Sequence, residues 1–79
     1  MAIANFAYAP SSLTISKGTK VTWTNDDSAP HTVTSSGSGP LHSPTLDRGG
    51  SYSYTFDSAS TFGYYCTVHP YMHGTVVVK

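Results

Sequence analysis

Apolar and polar residues alternate one by one through Ser51-Tyr52-Ser53-Tyr54-Thr55-Phe56, and this period of two limits the possible folds more tightly than any other feature of the chain. Successive side chains of an extended strand point to opposite faces, so Tyr52, Tyr54 and Phe56 share one side and Ser51, Ser53 and Thr55 the other. The same reading sets Val21 and Trp23 against Lys20, Thr22 and Thr24, and Leu13 and Ile15 against Thr14 and Ser16. Such alternation fits strands with one face on a core and one in water. Phe62, Tyr64 and Cys66 fall on one face of a further strand, with Tyr65 on the other. The β-branched run Thr75 to Val78 reads as a closing, buried strand.

Two more strands are expected, Ile3 to Tyr8, stopped by Pro10, and His31 to Thr34. Turn-prone segments separate them: Lys17-Gly18, Asn25 to Pro30, Asp47 to Gly50 and Asp57 to Thr61. Ser35 to Pro44, with Gly37, Gly39, Pro40 and Pro44, reads as an exposed connector and the most mobile segment. Gly, Pro and β-branched residues disfavour helix throughout. About seven short strands with turns between them imply an all-β protein, an antiparallel β-sandwich or barrel.

A chain of 79 residues has room for one domain, residues 1–79, and for only a small core. Small scaffolds lean on a disulfide, a metal or very good packing, and a single cysteine cannot close an internal disulfide. Lys17, Lys20, Arg48 and Lys79 balance Asp26, Asp27, Asp47 and Asp57. Without a basic stripe the footprint of a nucleic-acid binder is missing, and without a long apolar run there is no membrane span. The first residues lack the basic and apolar regions of a secretion signal.

One short stretch carries chemistry. Cys66-Thr-Val-His69-Pro-Tyr-Met72 offers a thiolate, an imidazole and a thioether at spacings of three. Each alone is unremarkable: a lone cysteine in a sheet is commonly a small buried hydrophobe, and a lone methionine is commonly core filler. Together, directly after a strand whose cysteine faces the core, they suggest donors to one soft or borderline metal ion. His31, at the start of another strand, is the best fourth candidate. Two His, one Cys and a weak Met make the donor set of an electron-transfer copper centre.

On these residues, with Gly74 and with Trp23-Thr-Asn25 leading to Pro30-His31, the chain resembles the cupredoxin (type 1 blue copper) family, nearest its amicyanin, pseudoazurin and plastocyanin group. The likeness runs from about Ile3 to Lys79. It implies a Greek-key β-sandwich in which His31 and His69 bind one copper ion through imidazole nitrogen, Cys66 through a short thiolate bond and Met72 through a long axial contact. It also implies a soluble, monomeric one-electron carrier cycling Cu(I) and Cu(II), not an enzyme, placed in the periplasm or outside the cell. The alternatives are a copper carrier or storage protein and a redox domain detached from a larger copper enzyme.

Further expectations follow. Thr32 stands where many relatives carry Asn, and its hydroxyl is expected to preserve, in altered form, a tie between that strand and the cysteine loop. Asn25 is either a second brace or an ordinary turn residue. Pro70 stiffens the loop after His69, and the exposed edge of His69, with Pro30, Pro70 and Tyr71, is the expected docking point for redox partner proteins. Tyr65 reads as a surface aromatic or a second electron exit, His73 as pointing away from the metal, and His42 as a solvated side chain.

Overall fold

Trp23 and Tyr64, both fully buried, meet edge to face at 5.4 Å between ring centroids, and they come from two different sheets. The computed structural model describes residues 1–37 and 39–79. Its strands are β1 (Ala2–Ala4), β2 (Ala7–Ala9), β3 (Ser12–Ile15), β4 (Thr19–Asn25), β5 (Thr34–Ser35), β6 (Ser51–Phe56), β7 (Ser60–Tyr65) and β8 (His73–Val78). One sheet has the order β2-β1-β4-β6 and the other β3-β8-β7-β5. Among the described residues there is no helix, hence none long and apolar enough to cross a membrane.

The two sheets face each other as the alternation predicted. Val21, Trp23 and Phe56 from one side and Tyr64, Val76 and Val78 from the other are buried in a single hydrophobic cluster. Aromatic rings join the sheets at two further points, Tyr8 on Tyr64 at 4.7 Å and Phe56 on Phe62 at 5.1 Å. Each such pair is worth roughly 0.5–1.5 kcal/mol beyond the area it buries. Gly74 lies directly against the Tyr64 ring, with no room for a Cβ. The expected sandwich is present, with eight strands.

Strand direction was less legible than strand face. β1 runs parallel to β4, and β3 parallel to β8, while the other four pairings are antiparallel. Alternation fixes which side chains share a face and carries no information on direction. The chain leaves the first sheet after β2, enters the second as β3 and returns as β4, so β1 and β4 come to lie side by side pointing the same way.

Three segments depart from the expected pattern. Ile3 to Tyr8 is not one strand but a hairpin, turning at Asn5 and Phe6 with φ of 53° and 57°. A two-residue turn with both φ values positive suits the twist of a hairpin, and Asn is among the residues that tolerate it. His31 to Thr34 is not a continuous strand: His31 bridges Leu46 through two backbone bonds of 3.1 and 2.7 Å, and only Thr34–Ser35 joins a sheet. The Thr32 N–H is diverted to the Cys66 Sγ instead of a neighbouring strand. Finally, Ser35 to Pro44 is a plain exposed connector only in part. Ser36 and Gly37 are exposed, but Leu41 is fully buried and tied to Ser35 through both its N–H and its carbonyl. Ser38, within that connector, lies outside the described residues.

Candidate metal centre

Asn25 ends β4 and organises the loop that follows. Its side-chain amide donates to the carbonyls of Ala29 (2.9 Å) and Leu46 (2.8 Å), and its Oδ1 accepts the Asp27 N–H (2.8 Å). Because Asn25 is fully buried, these bonds are shielded from water, and losing any one leaves a buried polar group without a partner. Asn25 is therefore a brace that also makes the bonds of a turn residue. The loop delivers His31 with its backbone locked to Leu46 and its side chain fully buried.

The two ring nitrogens of His31 face different groups. Nε2 lies 3.0 Å from Asp27 Oδ2, and Nδ1 lies 3.7 Å from Cys66 Sγ. A carboxylate only accepts, so Nε2 carries a proton toward Asp27, and Nδ1 is the ring nitrogen that faces the sulfur. Asp27 Oδ2 also accepts the Phe6 N–H (3.1 Å), and Oδ1 accepts the Ser28 N–H (3.0 Å). The bond from His31, and then those N–H groups, hold the Asp27 carboxyl below its usual range.

Cys66 follows β7 directly and is fully buried, as the face assignment required. Backbone N–H groups of Thr32 and His69 both point at its Sγ from 3.4 Å. Two donors converging on one sulfur fix its position between the two loops. The loop closes on itself through Cys66 N–H to the Met72 carbonyl (3.2 Å) and Met72 N–H to the His69 carbonyl (2.9 Å). His69 Nδ1 is thereby brought 3.8 Å from Sγ, and the donor atoms of His31, Cys66 and His69 all lie within 4.8 Å of one another. Met72 is buried at the end of the same loop.

Thr32 preserves the expected tie, with roles adjusted. Its hydroxyl accepts the Thr67 N–H at 2.9 Å and lies 3.1 Å from the hydroxyls of Thr67 and Thr34, while its carbonyl accepts the Tyr8 O–H at 2.6 Å. Burial, with Cys66 and Tyr64 nearby, pushes the Tyr8 phenol well above its ordinary value, so it remains a donor. His73 is exposed, its ring sits against Tyr65 with 6.5 Å between centroids, and it is not among the clustered donors. His42 is exposed and its N–H donates to the Tyr52 hydroxyl.

Two residues of the site went unread in the sequence. Asp27 reads in the sequence as one residue of the turn from Asn25 to Pro30, although its spacing of four from His31 across Pro30 is a usable signal. Phe6 lies within the strand expected from Ile3 to Tyr8, yet its ring stands edge-on to His69 (5.0 Å) and to His31 (5.6 Å). Its positive φ is uncommon for a bulky residue, and the Asp27 bond and the two imidazoles hold it there.

The donor set can be tested against a metal by distance alone. Bonds of about 2.0–2.3 Å to nitrogen and sulfur, opening at trigonal to tetrahedral angles, separate the donors by about 3.6–3.8 Å. The observed separations of 3.7 and 3.8 Å match. Two imidazoles and one thiolate, with a thioether at the end of the loop, suit an ion that alternates between soft and borderline character, which is copper.

Comparison with known proteins agrees. The family model for copper binding proteins of the plastocyanin/azurin family matches residues 1–79. Amicyanin of Paracoccus denitrificans is 38% identical over 81 residues, covering 98% of this chain, which spans 62% of the length of that relative. Plastocyanin of Scenedesmus fuscus is 36% identical over 84 residues, covering 91% of this chain and 86% of the relative. The Cu(I) form of an amicyanin variant superposes with a TM-score of 0.90 at 38% identity, covering 99% of this chain and 78% of the other. A buried cysteine sulfur flanked by two imidazoles, on a sandwich of this shape and with relatives of this kind, means that the chain belongs to the plastocyanin/azurin family of copper binding proteins.

Proposed function

We propose that this chain is a one-electron carrier whose single copper ion is held by His31, Cys66, His69 and, axially, Met72. When bound, copper supplies a Cu(I)/Cu(II) couple. The observation that carries the reading is the convergence of the two Nδ1 atoms on Cys66 Sγ within a buried, hydrogen-bonded frame. The frame holds the donors in place by bonds that do not involve the metal: the Leu46 bridge behind His31, and the N–H groups of Thr32 and His69 on the sulfur. Donors fixed in this way change little between oxidation states, and small rearrangement is what rapid electron exchange requires.

The surface supports a docking role. Among the described residues the exposed large apolar side chains are Phe6 (44% exposed), Val68 (43%) and Tyr71 (68%), and all lie beside the half-buried His69: two by ring contact, one as its chain neighbour. Pro30 and Pro70, both exposed, extend the patch. An electron entering or leaving through the His69 ring would cross little protein, and an apolar rim lets a partner approach with few charges to desolvate. The chain works in this reading as one domain and a monomer, outside the cytosol, and transforms no substrate. Full burial of Cys66 speaks against a carrier that hands its metal on, because the strongest donor is the least accessible.

Adding Cu(II) to the purified protein tests the reading. The expected result is an intense visible thiolate-to-copper band that bleaches with ascorbate, returns on reoxidation and is lost in Cys66→Ser. A colourless protein that retains only Cu(I) would overturn it.

A further inference from the structure

Asp27 Oδ2 is a shared acceptor. It takes the His31 Nε2–H at 3.0 Å and the Phe6 N–H at 3.1 Å, so one carboxylate oxygen joins the buried imidazole to the tip of the β1–β2 hairpin. Among the described residues, no other acidic side chain bonds to His31 or His69. The carboxylate is itself fixed at two further points, by the Ser28 N–H on Oδ1 and by the Asp27 N–H on Asn25. It is a placed group and not a passing surface contact.

Two consequences follow from chemistry alone. A carboxylate accepting the proton of one ring nitrogen pushes electron density toward the other, so His31 Nδ1 becomes a stronger and better oriented donor. A stronger nitrogen donor favours the harder, more highly charged oxidation state of a copper ion. Independently, the Phe6 N–H bond holds a residue at positive φ whose ring covers both imidazoles edge-on.

We propose that Asp27 is a positioning residue of the copper centre, which orients and strengthens His31 as a donor and, through the same oxygen, pins the Phe6 hairpin over His31 and His69. The proposal rests on the copper reading above, but its structural half does not need the metal. Removing the charge while keeping an acceptor, in Asp27→Asn, lowers preference for Cu(II) while the hairpin stays in place. Removing the acceptor, in Asp27→Ala, does both: it weakens Cu(II) binding and frees the hairpin.

The test has one arm without copper and one with it. In the metal-free protein, NMR should show the His31 Nε2–H and the Phe6 N–H protected from exchange in the wild type and in Asp27→Asn, and both unprotected in Asp27→Ala. Rapid exchange of both in the wild type, or unchanged protection in Asp27→Ala, would overturn the structural half. In the copper-loaded protein, Asp27→Asn should bind Cu(II) about tenfold less tightly relative to Cu(I), at the low end of what losing such a partner costs. For a one-electron couple that raises the reduction potential by about 59 mV. A wild-type potential in both variants, with the visible band intact, would overturn the electronic half. If the wild type gave no band at all, the copper reading would fail, and the exchange experiment would still decide whether Asp27 holds His31 and Phe6.

Discussion

The two arms of the metal centre are held in opposite ways. His31 arrives on a loop wound around a buried asparagine, is bridged to Leu46 through its backbone, and has its outer nitrogen bonded to Asp27; nothing of it is exposed. His69 sits on a loop closed by two backbone bonds, is half-buried, and is flanked by the rings of Phe6 and Tyr71 rather than by polar partners. Cys66 belongs to both arms, receiving one N–H from each. The contrast separates two demands that an electron carrier places on one site. Fixed geometry comes from the arm sealed in the sandwich, and contact with the outside comes from the arm at its rim.

The largest effect that sharpens this contrast is a pair of deletions. His31→Gly and His69→Gly should each abolish the visible band of the copper-loaded protein. Added imidazole should restore the band in His69→Gly, where the vacated space opens to solvent. It should fail in His31→Gly, where the space is enclosed. Equal rescue of the two variants would erase the distinction between a buried and an open arm.

Next in size is a stability difference. Asn25→Ala strands the Ala29 carbonyl and the Asp27 N–H and takes one of two donors from the Leu46 carbonyl, which keeps the His31 N–H; unsatisfied buried groups cost about 1–3 kcal/mol each. Allowing for some repair by water on the Ala29 side, the loss should be about 3 kcal/mol. In a domain of this size that lowers Tm by at least about 12 °C. Calorimetry of the metal-free protein measures it free of any copper contribution. A drop of only a few degrees would mean that the loop is not organised by Asn25.

Why one arm was more legible than the other follows from the same contrast. The Cys66, His69 and Met72 loop is local: seven consecutive residues carry the donors, and a strand with clean alternation sets Cys66 inward. His31 could be nominated from its residue type and the turn before it, but what fixes it comes from distant chain. Leu46 lies fifteen residues downstream and Phe6 twenty-five upstream, and no period or propensity links them to His31. Phe6 was misplaced because Ile3 to Tyr8 has strand composition, and a two-residue turn with Asn at its first position but Phe at its second lacks the usual glycine. Asp27 is written as an ordinary turn residue and acquires its role only through the position of the imidazole four residues on. Leu41, in a connector rich in Gly and Pro, was hidden by its neighbours, since composition reports the average of a segment and burial is decided by single residues. Parallel pairing of β1 with β4 and of β3 with β8 was invisible for the reason already given: faces are periodic in sequence and directions are not.

The smallest structural perturbation tests the open arm alone. Tyr71 is the most exposed large apolar residue among the described residues and its ring stands against that of His69, so Tyr71→Lys should change stability by no more than about 0.5 kcal/mol. It should also leave the reduction potential close to that of the wild type, because no bond to the donors is altered. What it adds is a positive charge at the rim where two molecules would meet. Electron self-exchange between copies of the protein, read from NMR line widths in mixtures of the oxidised and reduced forms, needs no identified partner and brings two such rims together. Like charges facing each other oppose encounter, so exchange should slow by about tenfold at low ionic strength and recover substantially as salt screens the pair. Ser60→Lys is the matched control: Ser60 is exposed at the start of β7, and the strand separates it from Cys66 by roughly 20 Å. Its exchange rate should equal that of the wild type. If the two variants behaved alike, whether both slow or both unchanged, the apolar rim around His69 would have no claim to be the point of electron exchange, however well the buried arm is built.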